Sequence, residues 1–185
     1  MSINSKLMKY ALMGVVGVLA FVSIPAMAAP TRQENEQLTK LLGEANEAAA
    51  TLAKDANDTG TLVWLQESYE SHAAKLDQVA DDVNAMARIV AKLTELRSTG
   101  SDLQEQAADR ILPLLTNLAE NTTAAIKYLN QNQGIDPPSE AYKQYLRDND
   151  ETAQHLSSTV SSLFEYEKSM AKVEKYKKSL EIERK

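Results

Sequence analysis

Residues 62–97, LVWLQESYESHAAKLDQVADDVNAMARIVAKLTELR, decide the fold. Steps of three and four pick out Leu62, Leu65, Tyr69, His72, Leu76, Val79, Val83, Met86, Val90 and Leu93, an alternation that places one apolar seam along one side of a helix. Neither Gly nor Pro interrupts the run from Thr61 to Thr99, so the spacing predicts a single unbroken helix of about 50 Å. A second column, Ala73, Ala80 and Ala87, runs beside the seam. Small residues there widen the buried face and admit a close neighbour, which favours a multi-helix bundle over a two-stranded coiled coil with charged flanks. Glu67, Glu70, Asp77, Asp81, Arg88 and Glu95 fall on the far side and read as its solvated face.

Toward the N-terminus, Asn57-Asp58-Thr59-Gly60 reads as a turn. Ahead of it, Thr31-Arg32-Gln33-Glu34 has the spacing of a capping box and predicts a first helix from Thr31 to about Asp55. Its stripe, Leu38, Leu42, Ala45, Ala49, Leu52 and Ala56, is shallow, and Gly43 costs it up to ~1 kcal/mol of helix propensity relative to Ala. This helix therefore depends on docking.

Toward the C-terminus, Ser98-Thr99-Gly100 closes the central helix, and Ser101 with Gln104 opens a third. That helix carries Leu103, Ala107, Ile111, Leu114, Leu118, Ala125 and Leu129, and Pro113 should bend or break it by removing the bond to the Asp109 carbonyl. Asn130 to Gly134 form a polar loop, and Asp136-Pro137-Pro138-Ser139 starts a fourth helix. There Tyr142, Leu146, Asn149, Ala153, Leu156, Val160 and Leu163 keep the heptad rhythm, whereas Tyr166, Met170, Val173 and Leu180 resume it after one shortened step. Four helices with short connections predict an all-α, antiparallel up-down-up-down four-helix bundle, with a three-helix spectrin-like bundle as the alternative.

Met1 to Ala28 has the parts of a secretory signal: Lys6 and Lys9, an apolar run from Tyr10 to Ile24, Pro25, and the small-residue site Ala26-Met27-Ala28. The expected organisation is a signal peptide at 1–28, a bundle at 29–166 and a basic helical extension at 167–185. An uncleaved N-terminal anchor is the competing reading. Cleavage near Ala28 removes two lysines, leaving 18 basic against 26 acidic residues and a formal charge of −8. An acidic body excludes nucleic acid as the main partner, and the absence of Cys excludes disulfides and thiolate metal sites. The last stretch reverses the sign: Lys168, Lys172, Lys175, Lys177, Lys178, Arg184 and Lys185 outnumber Glu167, Glu174, Glu181 and Glu183.

Candidates for chemistry are few. His72 sits on the central seam, where a histidine either sets register as a core residue or ligates haem or a metal. His155, beside Leu156 on a helix parallel to the central one, is the candidate second ligand. Tyr69 and Thr152 stand three residues before these histidines, so the Glu-x-x-His signature of di-iron bundles is absent. Asp77, Asp81 and Asp82 read as solvent-facing charge. Trp64 is expected to cap the bundle end beneath a loop, with an exposed partner anchor as the alternative.

The expected function is binding without catalysis, by an exported, periplasmic or secreted scaffold, adaptor or chaperone-like protein. Its partner, another protein or the envelope surface, is met through the basic end, with Trp64, Lys172, Lys175, Lys177 and Lys178 as partner-binding residues. The alternatives are a small haem or metal carrier using His72 and His155, and a structural coiled coil that forms a homo-oligomer.

Overall fold

The computed structural model describes residues 32–65, 67–132 and 139–183. Four helices carry the fold: α1 (Arg32–Leu65), α2 (Tyr69–Leu96), α3 (Asp102–Gln131) and α4 (Glu140–Glu183), with a 3-10 turn at Arg97–Thr99 between α2 and α3. No strand occurs among the described residues. Each of α1 and α3 packs against both α2 and α4. The result is an antiparallel four-helix bundle with α2 and α4 on a diagonal, and α1 is too well enclosed for a three-helix arrangement. The signal sequence, its cleavage site, Thr31 and the Pro137-Pro138 helix start lie outside the described residues.

The first connection lies elsewhere than expected. Asn57 to Gly60 are helical, and α1 runs ten residues past Asp55. Turn-forming side chains break a helix by competing for its backbone, but here they are engaged in ways that suit it. Thr59 Oγ1 donates back to the Asp55 carbonyl at 2.6 Å, and Asp58 accepts from Lys54 at 2.9 Å. The break comes instead just before Ser68, whose hydroxyl caps α2 by accepting from the Ser71 amide at 3.3 Å. The central helix is therefore Tyr69–Leu96, not 62–97, and the seam splits there. Leu65 is exposed, while His72, Leu76, Val79, Val83, Met86, Val90 and Leu93 are all buried.

Pro113 does not break α3. The proline and Asp109 both face solvent, so water is available to the carbonyl that loses its bond. Gly43 has a packing role: a Cβ there would meet the Phe164 ring at 3.3 Å, so its absence lets α1 and α4 approach. Asn57 meets Asp150 across the same pair of helices. One antiparallel register satisfies both contacts, and it sets Arg32, eleven residues before Gly43, level with about residue 175, eleven after Phe164.

The interior falls into two parts. The larger core joins Leu38 to Ala56 of α1, Val79 to Leu93 of α2, Ala107 to Leu118 of α3 and Ala153 to Leu163 of α4. A smaller one holds Leu76, Ala125, Tyr142 and Leu146. Between them lie the buried polar residues Asp55, Thr59, Thr122 and Asn149.

At the opposite end the predicted capping box forms: Ser101 Oγ accepts from the Gln104 amide at 3.3 Å, and Gln104 Oε1 accepts from the Ser101 amide at 2.9 Å. Gln104 Nε2 also donates to Thr39 and to Glu167, and the Ser101 hydroxyl donates to Glu167 at 2.9 Å. This knot of α1, α3 and α4 marks where α3 stops accompanying α4.

Candidate functional site

His72 is a core residue with a partner. Its Nδ1 lies 3.0 Å from the Tyr142 hydroxyl across the diagonal of the bundle, with the rings edge-on. Tyr142 in turn stacks on Tyr128, and Tyr69 donates to Asn130 at 3.0 Å. Nε2 is buried with no protein partner among the described residues. Burial is the main cause that lowers the His72 pKa, opposed by the nearby Glu67 carboxylate, and burial also raises that of Tyr142. A neutral imidazole paired to a phenol is the result. His155 is exposed, thirteen residues beyond Tyr142 on α4 and so about 20 Å away along the axis. The structure does not bring the two histidines together. No group of three or more metal-ligating side chains forms among the described residues.

Asp77 and Asp82 are less solvated than their sequence pattern indicates, whereas Asp81 is exposed as expected. Asp55 is buried and accepts from Gln78 at 2.6 Å. Asp82, half-buried, has one oxygen sealed off without a hydrogen-bond partner among the described residues, and so does Asp77. Burial first, and then the neighbouring Asp55 carboxylate, push the Asp82 pKa from 3.8 up to about 6. Asp77 is raised as well, by burial and by Asp81. Because the folded pKa of Asp82 exceeds its unfolded one, its favourable contribution is complete below about pH 4 and is withdrawn as pH rises through about 6. Asp82→Asn is expected to stabilise the protein at pH 7 by about 1 kcal/mol, a figure discounted for partial solvent access, and to change little at pH 4. Denaturant titrations at the two pH values check this.

His155 lines an open cleft of about 340 Å³ between α3 and α4, with Leu103, Arg110, Thr159 and Tyr166 among its walls. Its two serine hydroxyls are spent locally, since Ser158 donates to the His155 carbonyl and Ser162 to the Ser158 carbonyl, both at 2.9 Å. The cleft is a groove between two helices rather than a built polar pocket.

Trp64 stands at the end of α1, 83% exposed, and does not tuck beneath a loop. The other exposed apolar residues concentrate at the opposite end, where Tyr166, Met170, Val173, Tyr176 and Leu180 are 41% to 66% exposed along α4. At about 100° per residue these five fall within one third of the helix circumference. His155, Thr159, Ser162, Tyr166, Val173, Tyr176 and Leu180 share one side of α4, so the cleft wall continues into the apolar stripe. Lys168, Lys172 and Lys175 project from the other side. Lys172, Lys175 and Lys177 are exposed, Lys177 is ion-paired to Glu174 at 2.9 Å, and Lys178 belongs to the same helix.

This stripe is not covered by α1. At this end Gly43 of α1 meets α4 on its Phe164 side, away from Tyr166 and Val173, and Glu167 is held by Ser101 and Gln104 at the start of α3. Counted from the register, α4 outlasts α1 by about eight residues, and it outlasts α3, whose first turn meets Glu167, by roughly fifteen. Among the described residues no helix is long and apolar enough to cross a membrane. No known family, characterised relative or solved structure matches this chain.

Proposed function

We propose that this protein acts by binding, as an exported, non-catalytic helical adaptor whose working surface is the projecting end of α4. The observation that carries this reading is the apolar stripe Tyr166, Met170, Val173, Tyr176 and Leu180, exposed on a helix that outruns its neighbours. Solvent-exposed apolar side chains aligned over four turns of a helix are an interaction surface far more often than isolated surface apolar residues are. Export is supported by the leader-like sequence of residues 1–28, and a periplasmic or secreted scaffold or chaperone-like role fits the acidic, cysteine-free body.

Deleting Ser169 to Lys185 tests the reading. The deletion spares Glu167 and its bonds to Ser101 and Gln104, together with every buried residue of both cores. The shortened bundle is expected to keep a cooperative melt with a midpoint within a few degrees of the parent, since an exposed terminal segment contributes little stability. It is also expected to lose salt-sensitive association with its partner. Collapse of the melt on deletion would assign Met170, Val173 and Leu180 to the core and remove the docking role.

A further inference from the structure

The geometry points to an anionic lipid surface as the occupant of the α4 stripe, an inference that rests on the binding role proposed above. Charge separates the projecting end of α4 from the body of the bundle. Residues 167–185 hold seven basic and four acidic side chains, while residues 29–166 hold eleven basic and twenty-two acidic. An anionic interface attracts the projecting end and repels the body, so approach is confined to α4 beyond the Glu167 knot.

The shape of the stripe fits a membrane surface. From Tyr166 to Leu180 it is about 21 Å long, too short to span and suited to lying in the interface plane. Tyr166 and Tyr176 are side chains suited to the headgroup boundary, Met170, Val173 and Leu180 supply the apolar face, Lys177 among them has a stem long enough to carry its ammonium to the headgroups, and Lys168, Lys172 and Lys175 populate the polar face. The N-terminus of α1 lies at this same end, level with about residue 175.

A second copy fits less well. With Met170 and Val173 as seam positions, Glu167, Glu174 and Glu181 all occupy one flank of the stripe, and Lys177 falls in the seam itself. Antiparallel pairing of two copies sets glutamate flank against glutamate flank, and parallel pairing sets Lys177 against its own copy. Both arrangements juxtapose like charges.

The test uses the exported form of the chain, beginning after Ala28, floated with vesicles of phosphatidylcholine alone or of phosphatidylcholine and phosphatidylglycerol in equal parts. Flotation with the anionic vesicles is expected to exceed that with neutral ones at least tenfold and to fall several-fold when salt rises from ~0.05 to ~0.5 M. Val173→Glu with Leu180→Glu, both at exposed positions, is expected to reduce flotation at least tenfold with the melting midpoint unchanged. Tyr176→Trp in a Trp64→Phe background is expected to show blue-shifted emission on anionic vesicles. Equal flotation by the double glutamate variant, or failure of the parent to float with anionic vesicles, overturns the lipid assignment. If vesicles are ignored but the parent sediments as a dimer that the double variant dissolves, lipid falls and a binding role for the stripe stands. If vesicles are ignored and the parent sediments as a monomer unchanged by the variant, the lipid assignment falls with self-association, and the binding role is decided by the deletion of Ser169 to Lys185.

Discussion

Val83→Asp is expected to abolish the cooperative melt of the bundle. Val83 is 6% exposed in the larger core, on α2 between Val79 and Met86. A carboxylate there is either desolvated without a partner or forced to take up a proton, and it also replaces a well-packed apolar side chain. The adjacent Asp82 is already held half-buried with a raised pKa, so the surroundings offer a second carboxylate no relief. A loss of about 4 kcal/mol or more is anticipated, comparable with the whole stability of many domains. Circular dichroism on heating reads it, and a parent-like midpoint would show that α2 is not packed through Val83.

His72→Leu is expected to cost about 2 kcal/mol, the price of orphaning the buried Tyr142 hydroxyl. From sequence alone the same change reads as neutral or stabilising, because leucine spares the desolvation of an imidazole on an apolar seam. Tyr142, on the diagonal helix, reverses that sign. His72→Leu combined with Tyr142→Phe removes both polar groups and is expected to recover most of the loss, and chemical denaturation of the two single variants and the double one measures the coupling. The two titrating sites also oppose each other. Burial lowers the His72 pKa, so the stability it contributes is present above about pH 6.5 and is lost as pH falls, over the range in which Asp82 becomes more favourable.

Much of this was legible in the residue spacing. From His72 to Leu93 every position read as seam is buried, and so is every seam position from Tyr142 to Leu163. Periodicity reports burial directly, because a side chain's face follows from the helical repeat alone. It fails at boundaries: the spacing of Leu62 and Leu65 happened to match α2, and Asn57-Asp58-Thr59-Gly60 looked like a turn although the Asp58 and Thr59 side chains bond within α1. That error hid Asp55 and Thr59, which continue the α1 stripe after Leu52. Thr122 stands one step of four after Leu118 and Asn149 on the α4 seam, so half of the buried polar layer was visible as polar residues on apolar registers. The pairing of His72 with Tyr142 was not, since the rotation of each helix about its axis decides which seam residues meet.

That polar layer bears on how the native state fluctuates. Hydrogen-bonded side chains such as Asp55 with Gln78 and Thr122 with Asn149 resist sliding, but they contribute less cohesion across the layer than apolar packing does. The short block holding Leu76, Ala125, Tyr142 and Leu146 then constitutes a separate cooperative unit from the long one. Native-state hydrogen exchange should resolve two opening energies, with the amides around Ala125 and Leu146 exchanging through a partial opening while those around Val90, Ile111 and Leu156 wait for global unfolding. The protein would thus loosen first at the end carrying Trp64 and remain closed at the end from which α4 projects.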